Sequence, residues 1–313
     1  MPQNQLPIIT VVTAAYNRGN VLKYAIHSVL RQTFTDWELI VVDDASTDDT
    51  AEIVCSFNDP RLRYFRLPEN SGDQSIPNNE GIRLAKGRYV AFLNQDDLWF
   101  PDHLEKALAG IATADADWVY TLGLAPYAED DVRLLAALPK GIYDPRYRGD
   151  IVGSIWLIKR EVFAEIGGWR PHGEILLPPS QDLLIRAWHA GKRIRMLSCV
   201  TAIILPTSAL SRKDCYIRRD CHEQEYYLRR VGEDPDALKS ELLLKYGIAC
   251  EEGICLRTLN ILAATRTLVG TVVRRFLLLF GILPITLSYF IRYRRKGGFV
   301  DAVRKNRGLD RLV

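Results

Sequence analysis

The chain has 313 residues, of which 48% are hydrophobic and 25% are charged, and its net charge is +3; this size and composition suit a large buried core rather than a disordered chain. The six cysteines form no CxxC pair and no Cys/His array with zinc-finger spacing, which excludes a zinc finger and a disulfide framework, and we expect reduced thiols. The charge is uneven, because residues 266–313 carry a net +9 and the rest carry −6, so the tail is the part suited to an anionic surface.

Strands and helices are predicted to alternate over the first hundred residues. Four runs rich in β-branched or aromatic residues are predicted strands, namely Ile8–Thr13, Trp37–Val42, Arg61–Leu67 and Tyr89–Leu93. Helical patterns follow the first three of them, at Val21–Leu30, around Ile53-Val54 and at Asn79–Ala85. Strands that alternate with helices imply a mainly parallel sheet.

The fourth predicted strand ends in Asn94-Gln95-Asp96-Asp97, and Leu98–Leu104 is predicted to open a helix. In an open parallel sheet, ligands bind beyond the carboxyl ends of the strands, so paired carboxylates there suit a hard cation and the phosphates that it neutralises. Asp is also favoured at helix N-caps, and Pro101 suits a first helical turn. These two acids alone do not decide between a cation site and a cap.

The pattern becomes less regular in the second half of the chain. A strand is predicted at Trp118–Leu122, and residues 126–150, rich in charge, Pro and Tyr, are expected to form an irregular insertion. Regular patterns return at Ile151–Lys159, in a helix at Arg160–Ile166 and in a helix that carries Gln181–Trp188. Beyond about Asp214 the chain is predicted to be entirely helical.

Six segments together form a more specific pattern than any one of them alone. They are Val11–Arg18, Gln32–Leu39, Val41–Asp48, Lys86–Asp97, Gly167–Trp169 and Gln181–Asp182. In this order and spacing they resemble the family 2 glycosyltransferases. The resemblance implies the GT-A fold of nucleotide-diphospho-sugar transferases: an α/β, Rossmann-like mixed and mainly parallel sheet flanked by helices. It implies a catalytic domain at 1–214, with a nucleotide-sugar half at about 1–122 and an acceptor half at about 123–214, followed by a helical region at 215–313.

The resemblance implies donor-binding roles at the ends of the first two strands. Ala14, Ala15, Tyr16 and Asn17 would form the first loop, with the Tyr16 ring packed on the base; the alternative for Tyr16 is an aromatic plug over the helix. Asp44 matches the position that hydrogen-bonds the nucleobase or ribose, because a carboxylate accepts from N–H and hydroxyl donors.

The resemblance also implies a divalent metal, Mn2+ or Mg2+. Asp96 and Asp97 match the end of a DXD-type element, where a carboxylate holds the metal across the donor diphosphate. The metal acts as a Lewis acid that stabilises the leaving nucleoside diphosphate. Family members commonly have Asp where this chain has Asn94, whose amide brings no charge and is available to contact the donor sugar. The choice between Asp96 and Asp97 as the ligand stays open.

Asp182 matches the family's general base, which takes the proton from the acceptor hydroxyl in a single displacement that inverts the anomeric carbon. The alternative is an N-cap for the helix that includes Trp188. Gly168 and Trp169 resemble an acceptor-side turn whose ring stacks on a sugar, and a core tryptophan behind a tight turn is equally compatible. The motif Gln-x-x-Arg-Trp of processive synthases does not follow Asp182, so we expect a non-processive enzyme.

The uncharged run Phe276–Ile291 lies between Arg274-Arg275 and the basic cluster 292–296. It is shorter than the roughly 20 residues that span a bilayer, and Gly281 and Pro284 interrupt it. Flanking cations and aromatic residues fit an interfacial segment on an anionic membrane surface; the alternative is a helix buried against the catalytic domain. We expect no nucleic-acid partner, because no nucleic-acid module is recognisable.

These features and the resemblance predict an inverting, metal-dependent glycosyltransferase that moves a sugar from a nucleotide diphosphate donor, a UDP-sugar, to a hydroxyl of a glycan or lipid-linked acceptor. Cell-envelope or exopolysaccharide biosynthesis is the expected process. The alternative is a catalytically silent nucleotide-sugar-binding protein that acts as a membrane-associated partner. The N-terminus lacks a secretory signal, so we expect a cytoplasmic protein, peripheral at the inner face of the cell membrane.

Overall fold

The computed structural model describes residues 6–127, 131–138, 141–146, 151–205, 220–258, 277 and 283–306. Within these ranges, nine strands form one sheet. The strands are β1 (Ile9–Ala15), β2 (Trp37–Asp43), β3 (Leu62–Arg66), β4 (Tyr89–Phe92), β5 (Leu98–Trp99), β6 (Trp118–Pro126), β7 (Val132–Leu135), β8 (Trp156–Lys159) and β9 (Ile194–Ile203). The α-helices are α1 (Gly19–Leu30), α2 (Thr50–Cys55), α3 (Ser75–Leu84), α4 (His103–Thr113), α5 (Glu161–Ile166), α6 (Pro179–His189), α7 (His222–Glu233), α8 (Pro235–Thr258), α9 (Pro284–Tyr293) and α10 (Gly298–Asn306).

The sheet has the order β3-β2-β1-β4-β8-β6-β9-β5, and β7 pairs with the end of β6. β1 is parallel to β2 and β4, β2 is parallel to β3, and β6 is parallel to β9. The antiparallel strands are β8, between β4 and β6, and β5 and β7. Six of the nine strands therefore run in one direction, which confirms the predicted mixed, mainly parallel sheet of the α/β class.

The strands β1, β2 and β4 form the centre of one half of the sheet. Nearly all of their residues are buried, because helices cover both faces of the sheet. Strands covered on both faces are continuous apolar runs instead of alternating ones. α3 lies so close to β1 that a Cβ added at Gly81 would be 2.3 Å from Val12 Cγ1. Because β1, β2 and β4 are parallel, their carboxyl ends lie at one edge of the sheet.

Three strands differ from the sequence predictions. One of them is β7 (Val132–Leu135), which pairs with β6 inside the predicted irregular insertion 126–150. Leu98 and Trp99, predicted to begin a helix, form β5, in which Leu98 pairs with Ile203; the helix begins at His103. β9 has no clear strand pattern in the sequence, because polar residues such as Arg195 interrupt its apolar ones. It becomes a strand by pairing with the buried strand β6 along most of its length.

Four aromatic rings join the two halves of the sheet. Trp156 of β8 contacts Trp118 of β6 at a centroid distance of 4.7 Å and Trp169 at 5.6 Å. Trp169 in turn contacts Phe92 of β4 at 5.2 Å. The sheet and its apolar core are thus continuous across residue 122, and the predicted division into donor and acceptor halves there stays a prediction.

The described residues that follow 220 are almost entirely helical, as predicted. α7 and α8 pack beside β5 through an apolar cluster that includes Phe100, Leu228 and Leu238. α9 contacts α10 through Tyr293 and Phe299. Among the helices described, none combines the length and the apolar character needed to cross a bilayer. Residues 274–276 and 278–282, which include one basic flank and part of the run 276–291, lie outside the described residues.

Candidate functional site

The loops that follow β1, β2 and β4 meet at one edge of the sheet and line a cleft of about 330 Å³. The predicted donor or metal residues that line this cleft are Ala14, Ala15, Tyr16, Asp44, Asn94 and Asp96. Asn17 and Asp97 lie behind its wall. The opposite wall comes from Pro178–Ser180, at the start of α6, and from one face of α10. Ligand sites of open α/β sheets occur at this edge.

The first loop is joined to the β4 loop by a hydrogen bond in which the Tyr16 N–H donates to Gln95 Oε1, at 2.9 Å. Asn17 has a positive φ of 51°, a conformation that Asn tolerates better than most residues. Its N–H donates to Ser46 Oγ at 3.0 Å, and its side-chain oxygen accepts from the Thr47 N–H at 2.7 Å. Asn17 therefore fixes the shape of the first two loops.

Asp44 is only 3% exposed, yet it lines the cleft. Its carboxylate accepts from the Ser71 N–H at 2.8 Å and from Asn70 Nδ2 at 2.9 Å. Burial raises the pKa of Asp44, while hydrogen bonds from Ser71 and Gly72 oppose the rise. Because a carboxylate offers about four acceptor positions, these bonds leave Asp44 able to accept from a ligand.

Asp97 is 2% exposed and makes a buried hydrogen-bond network. Oδ2 accepts from Ser154 Oγ at 2.5 Å and from Asn94 Nδ2 at 2.9 Å, and Oδ1 accepts from the Leu205 N–H at 2.9 Å. Burial raises the pKa of Asp97 to about 7, the charge of Asp96 adds to the rise, and the three hydrogen bonds oppose it. Asn94 thus supports Asp97 at a position where an aspartate would place two negative charges side by side.

Asp96 is the acid of this pair that lines the cleft. No cluster of three or more His, Cys, Asp or Glu side chains suited to a metal occurs among the described residues. Mg2+ is commonly held by one or two carboxylates together with substrate phosphates and not by an all-protein cage. A cleft-facing carboxylate at Asp96 fits a metal shared with a diphosphate, whereas Asp97 is buried and does not line the cleft. Which of the two acids holds a metal stays a prediction.

Asp182 lies in the first turn of α6, three residues after the helix begins at Pro179. Its Oδ2 accepts from Arg186 Nε at 2.8 Å, and its Oδ1 is 3.7 Å from Arg170 Nη1. Arg186 also donates to Ile166 O at 2.6 Å and to Gly168 O at 2.5 Å. The N-cap alternative is wrong, because α6 has no side-chain cap. The ion pair holds Asp182 beside the Pro178–Ser180 wall of the cleft.

The turn at Gly168 and Trp169 is bound to α3. Asn79 accepts from the Trp169 N–H and donates to Trp169 O, both at 2.8 Å. A Cβ at Gly168 would lie 2.1 Å from Asn79 Oδ1. The Trp169 ring is 3% exposed and packs on Phe92 and Trp156, so it has no face open to a sugar. The structure corrects the acceptor-stacking interpretation in favour of the core tryptophan.

Several residues of the site have no motif that points to them in the sequence. They are Ser154, Arg186 and the cleft-lining residues of α10, Phe299, Val300, Val303 and Arg304. Arg186 has the one usable signal, since it follows Asp182 by four residues on a predicted helix, a spacing that brings opposite charges together. The α10 residues reach the cleft only through the tertiary fold.

A sequence model described as glycosyl transferase family 2 matches residues 10–167. The putative teichuronic acid biosynthesis glycosyltransferase TuaG of Bacillus subtilis is 36% identical over 169 residues, which cover 52% of this chain and 66% of TuaG. WfgD of Escherichia coli, a UDP-Glc:alpha-D-GlcNAc-diphosphoundecaprenol beta-1,3-glucosyltransferase, is 31% identical over 113 residues, 36% of this chain and 44% of WfgD. The succinoglycan biosynthesis protein ExoO of Rhizobium meliloti is 38% identical over 113 residues, 36% of this chain and 32% of ExoO. Each match covers less than two thirds of the relative's own length.

Solved structures share the fold. TarS 1–349 of S. aureus, in complex with UDP-GlcNAc, superposes with a TM-score of 0.54 at 19% identity, over 71% of each chain. The complex of the same protein with UDP gives a TM-score of 0.52 over 76% of this chain and 70% of that one. At this identity the likeness shows the GT-A fold alone.

Proposed function

Because this chain belongs to glycosyl transferase family 2, we propose that it transfers a sugar from a nucleotide diphosphate donor, a UDP-sugar, to a hydroxyl of a glycan or lipid-linked acceptor. The observation that carries the proposal is the cleft, in which residues from the ends of β1, β2 and β4 converge. The resemblance implies that residues at these positions contact the donor. These residues come from three separate loops.

The relatives support the substrate class and the process. The name of WfgD gives a UDP-glucose donor and a diphosphoundecaprenol-linked acceptor, and those of TuaG and ExoO give teichuronic acid and succinoglycan biosynthesis. TarS, with the same fold, has been solved with UDP-GlcNAc. We therefore assign this chain to cell-envelope or exopolysaccharide biosynthesis.

On this proposal, the nucleoside lies against Tyr16 and Asp44. Asp44 accepts a hydrogen bond from the base or the ribose, and its own hydrogen bonds to Ser71 and Asn70 keep it oriented. Asp96 would hold Mn2+ or Mg2+ together with the diphosphate, and the metal supplies Lewis-acid stabilisation of the leaving group. Asp97 orients Asn94 from behind the cleft.

Asp182 is the proposed general base for an inverting displacement. The transfer forms a bond between the acceptor oxygen and the anomeric carbon, breaks the bond from that carbon to the diphosphate, and delivers the acceptor proton to the Asp182 carboxylate. Arg186 positions this carboxylate by bonding at once to it and to the turn at Gly168. A proton acceptor held in place contributes typically 100- to 10,000-fold to the rate.

The test measures UDP release from a panel of UDP-sugars, and UDP binding by calorimetry with and without Mn2+. In the native protein, Mn2+ is expected to strengthen UDP binding by roughly tenfold or more, since metal and diphosphate share the site. In Asp96→Asn, Mn2+ should no longer strengthen UDP binding. The matched control is Asp236→Asn, which removes the same charge from a side chain that is 91% exposed on α8, and it should behave like the native protein.

Asp182→Asn separates binding from chemistry. We expect UDP affinity to stay unchanged and turnover to fall by roughly 100-fold or more. Unchanged turnover would remove Asp182 from the mechanism. If the native protein binds no nucleoside diphosphate, the whole proposal is wrong.

The alternative of a catalytically silent binder has one observation in its favour. Asp182 is bound by Arg186 and is not among the residues that line the cleft, to which α6 contributes Pro179 and Ser180. Tight UDP binding without turnover of any donor, with any acceptor, is the outcome that supports this alternative.

We propose that α9 and the basic residues 294–296 that follow it rest on an anionic membrane surface. Phe290 and Ile291 are 50% and 63% exposed. The neighbouring cations Arg292, Arg294, Arg295 and Lys296 are exposed as well. Apolar and basic side chains side by side are the composition of interfacial helices. Sedimentation with vesicles tests this: binding to phosphatidylglycerol vesicles and not to phosphatidylcholine vesicles is expected, and binding that Ile291→Ser leaves unchanged would contradict it.

A further inference from the structure

Helix α10 lines the cleft and is hydrogen-bonded at both ends to other parts of the chain. Just before its first residue, the Gly297 N–H donates to Ile175 O at 2.9 Å, in the segment that leads to the cleft-lining residues Pro178–Ser180. Near its other end, Arg304 Nη1 donates to Gly72 O at 2.7 Å, on the side formed by the loop after β3. The intervening turns are roughly 9 Å long. The helix therefore bridges two walls that are contributed by distant parts of the chain.

One face of α10 forms part of the cleft lining. Phe299, Val300, Val303 and Arg304 lie on that face, and their spacing is that of one side of a helix. The face is held inward by neighbours: Arg295 forms an ion pair with Asp301, and Tyr293 packs edge-on against Phe299 at 5.8 Å. Arg304 thus reaches the cleft from a fixed helix and not from a loose terminus.

The charge of the cleft gives this helix a chemical role. The charged side chains among its lining residues, all within the described part of the chain, are Asp44, Asp73, Asp96 and Arg304. Asp73 Oδ2 is 2.9 Å from His172 Nδ1. A phosphate entering a site lined by carboxylates is repelled unless cations offset them, and Arg304 is the cation that the cleft lining itself contains.

We infer that α10 is the roof of the nucleotide site and that Arg304 binds a phosphate group of the nucleotide. The inference rests on the proposed function, because it names a further binding residue for the same donor. A planar guanidinium matches phosphate oxygens in fork geometry. The bond from Nη1 to Gly72 O already orients the side chain, so less conformational freedom is lost when the phosphate arrives. Gly72 follows Ser71, which donates to Asp44, so Arg304 lies near the nucleoside end of the site.

The experiment uses the full chain and three probes that differ only in phosphate number. The dissociation constants of 5-fluorouridine, its monophosphate and its diphosphate are measured by fluorine NMR for the native protein and for Arg304→Gln. Removing a charged hydrogen bond should weaken binding of the monophosphate and the diphosphate by roughly ten- to a hundredfold. Binding of the nucleoside should stay unchanged. Arg304→Lys keeps the charge without the fork. Its dissociation constants for the two phosphates should lie between those of the native protein and those of Arg304→Gln.

The matched control is Lys305→Gln. Lys305 is the next residue of α10, it is exposed and it does not line the cleft, so the same loss of charge there should leave all three constants unchanged. If Arg304→Gln weakened binding of the nucleoside and of its phosphates equally, Arg304 would act only by holding α10 in place. That result would overturn the inference. Unchanged constants in Arg304→Gln would overturn it as well. In both cases nucleotide binding by the native protein leaves the proposed function intact, whereas a native protein that binds none of the probes refutes that function.

Discussion

Asp97 should make the stability of this protein fall as the pH rises from about 4 to about 7. The carboxyl group has its ordinary pKa of 3.8 in the unfolded chain, and burial raises it to about 7 in the folded protein. Between these values the folded protein holds a proton that the unfolded chain has lost. Raising the pH therefore favours unfolding, and the stabilising contribution is complete below about pH 4 and lost above about pH 7.

The size of the effect follows from the pKa difference. Each pH unit between the two pKa values changes the free energy of unfolding by at most about 1.4 kcal/mol, so the whole interval amounts to about 4 kcal/mol. Asp97→Asn removes the titrating group. Its amide changes the hydrogen bonds with Ser154, Asn94 and the Leu205 N–H, but that cost does not depend on pH.

The assay is urea denaturation of the native protein and of Asp97→Asn in half-unit steps from pH 4.5 to 8.5, without divalent metal. The native protein should lose stability relative to the variant as the pH rises. Asp236→Asn is the control, since an exposed acid should leave the native slope intact. Asp96→Asn should reduce the slope, because the Asp96 charge contributes to the raised pKa of Asp97. Parallel curves for the native protein and Asp97→Asn would refute the reasoning.

Three further predictions concern packing and positioning. Gly87→Ala should lower the free energy of unfolding by about 3 kcal/mol, because a Cβ there would lie 2.5 Å from the Thr10 backbone nitrogen. The control is Gly173→Ala, which has nothing within 4 Å of the added Cβ and should be neutral in the same urea titration. Asn79→Asp should cost about 2 kcal/mol by setting a carboxylate against the Trp169 carbonyl; equal midpoints in thermal melting would contradict this. Arg186→Gln should reduce turnover by roughly 100-fold at unchanged UDP affinity, since it frees Asp182, and unaltered turnover in the UDP-release assay would exclude the positioning role.

The first four strands could be predicted because each is marked by neighbours in sequence. A run such as Trp37–Asp43 is buried on both faces, so its own composition identifies it. Part of β6 could be predicted in the same way, at Trp118–Leu122, whereas β5, β7 and β9 depend on distant partners. Leu98-Trp99 resembles a helix start and becomes a strand only because Ile203 and Ala202 lie beside it in the fold. The same dependence hides β9, whose polar residues break the pattern that a strand normally shows.

The residues of the candidate site also differ in whether the sequence could predict them. Loop residues such as Tyr16, Asp44 and Asp96 could be placed in it, since the carboxyl ends of neighbouring parallel strands share one edge. The sequence could not separate Asp96 from Asp97, because the difference lies in Ser154 and Leu205, which bury one acid and not the other. Arg304 gave no signal at all, as more than two hundred residues separate it from Gly72.

The bridging position of α10 has a consequence for how the protein is made. Ala14 is synthesised early and Arg304 late, and at about 5–20 residues per second the ribosome needs on the order of tens of seconds between them. The N-terminal strands emerge and pair while the roof is still untranslated. A nascent chain in that interval has the loops after β1, β2 and β4 but not the helix that lines the cleft with them, so the cleft is not complete before α10 has been made.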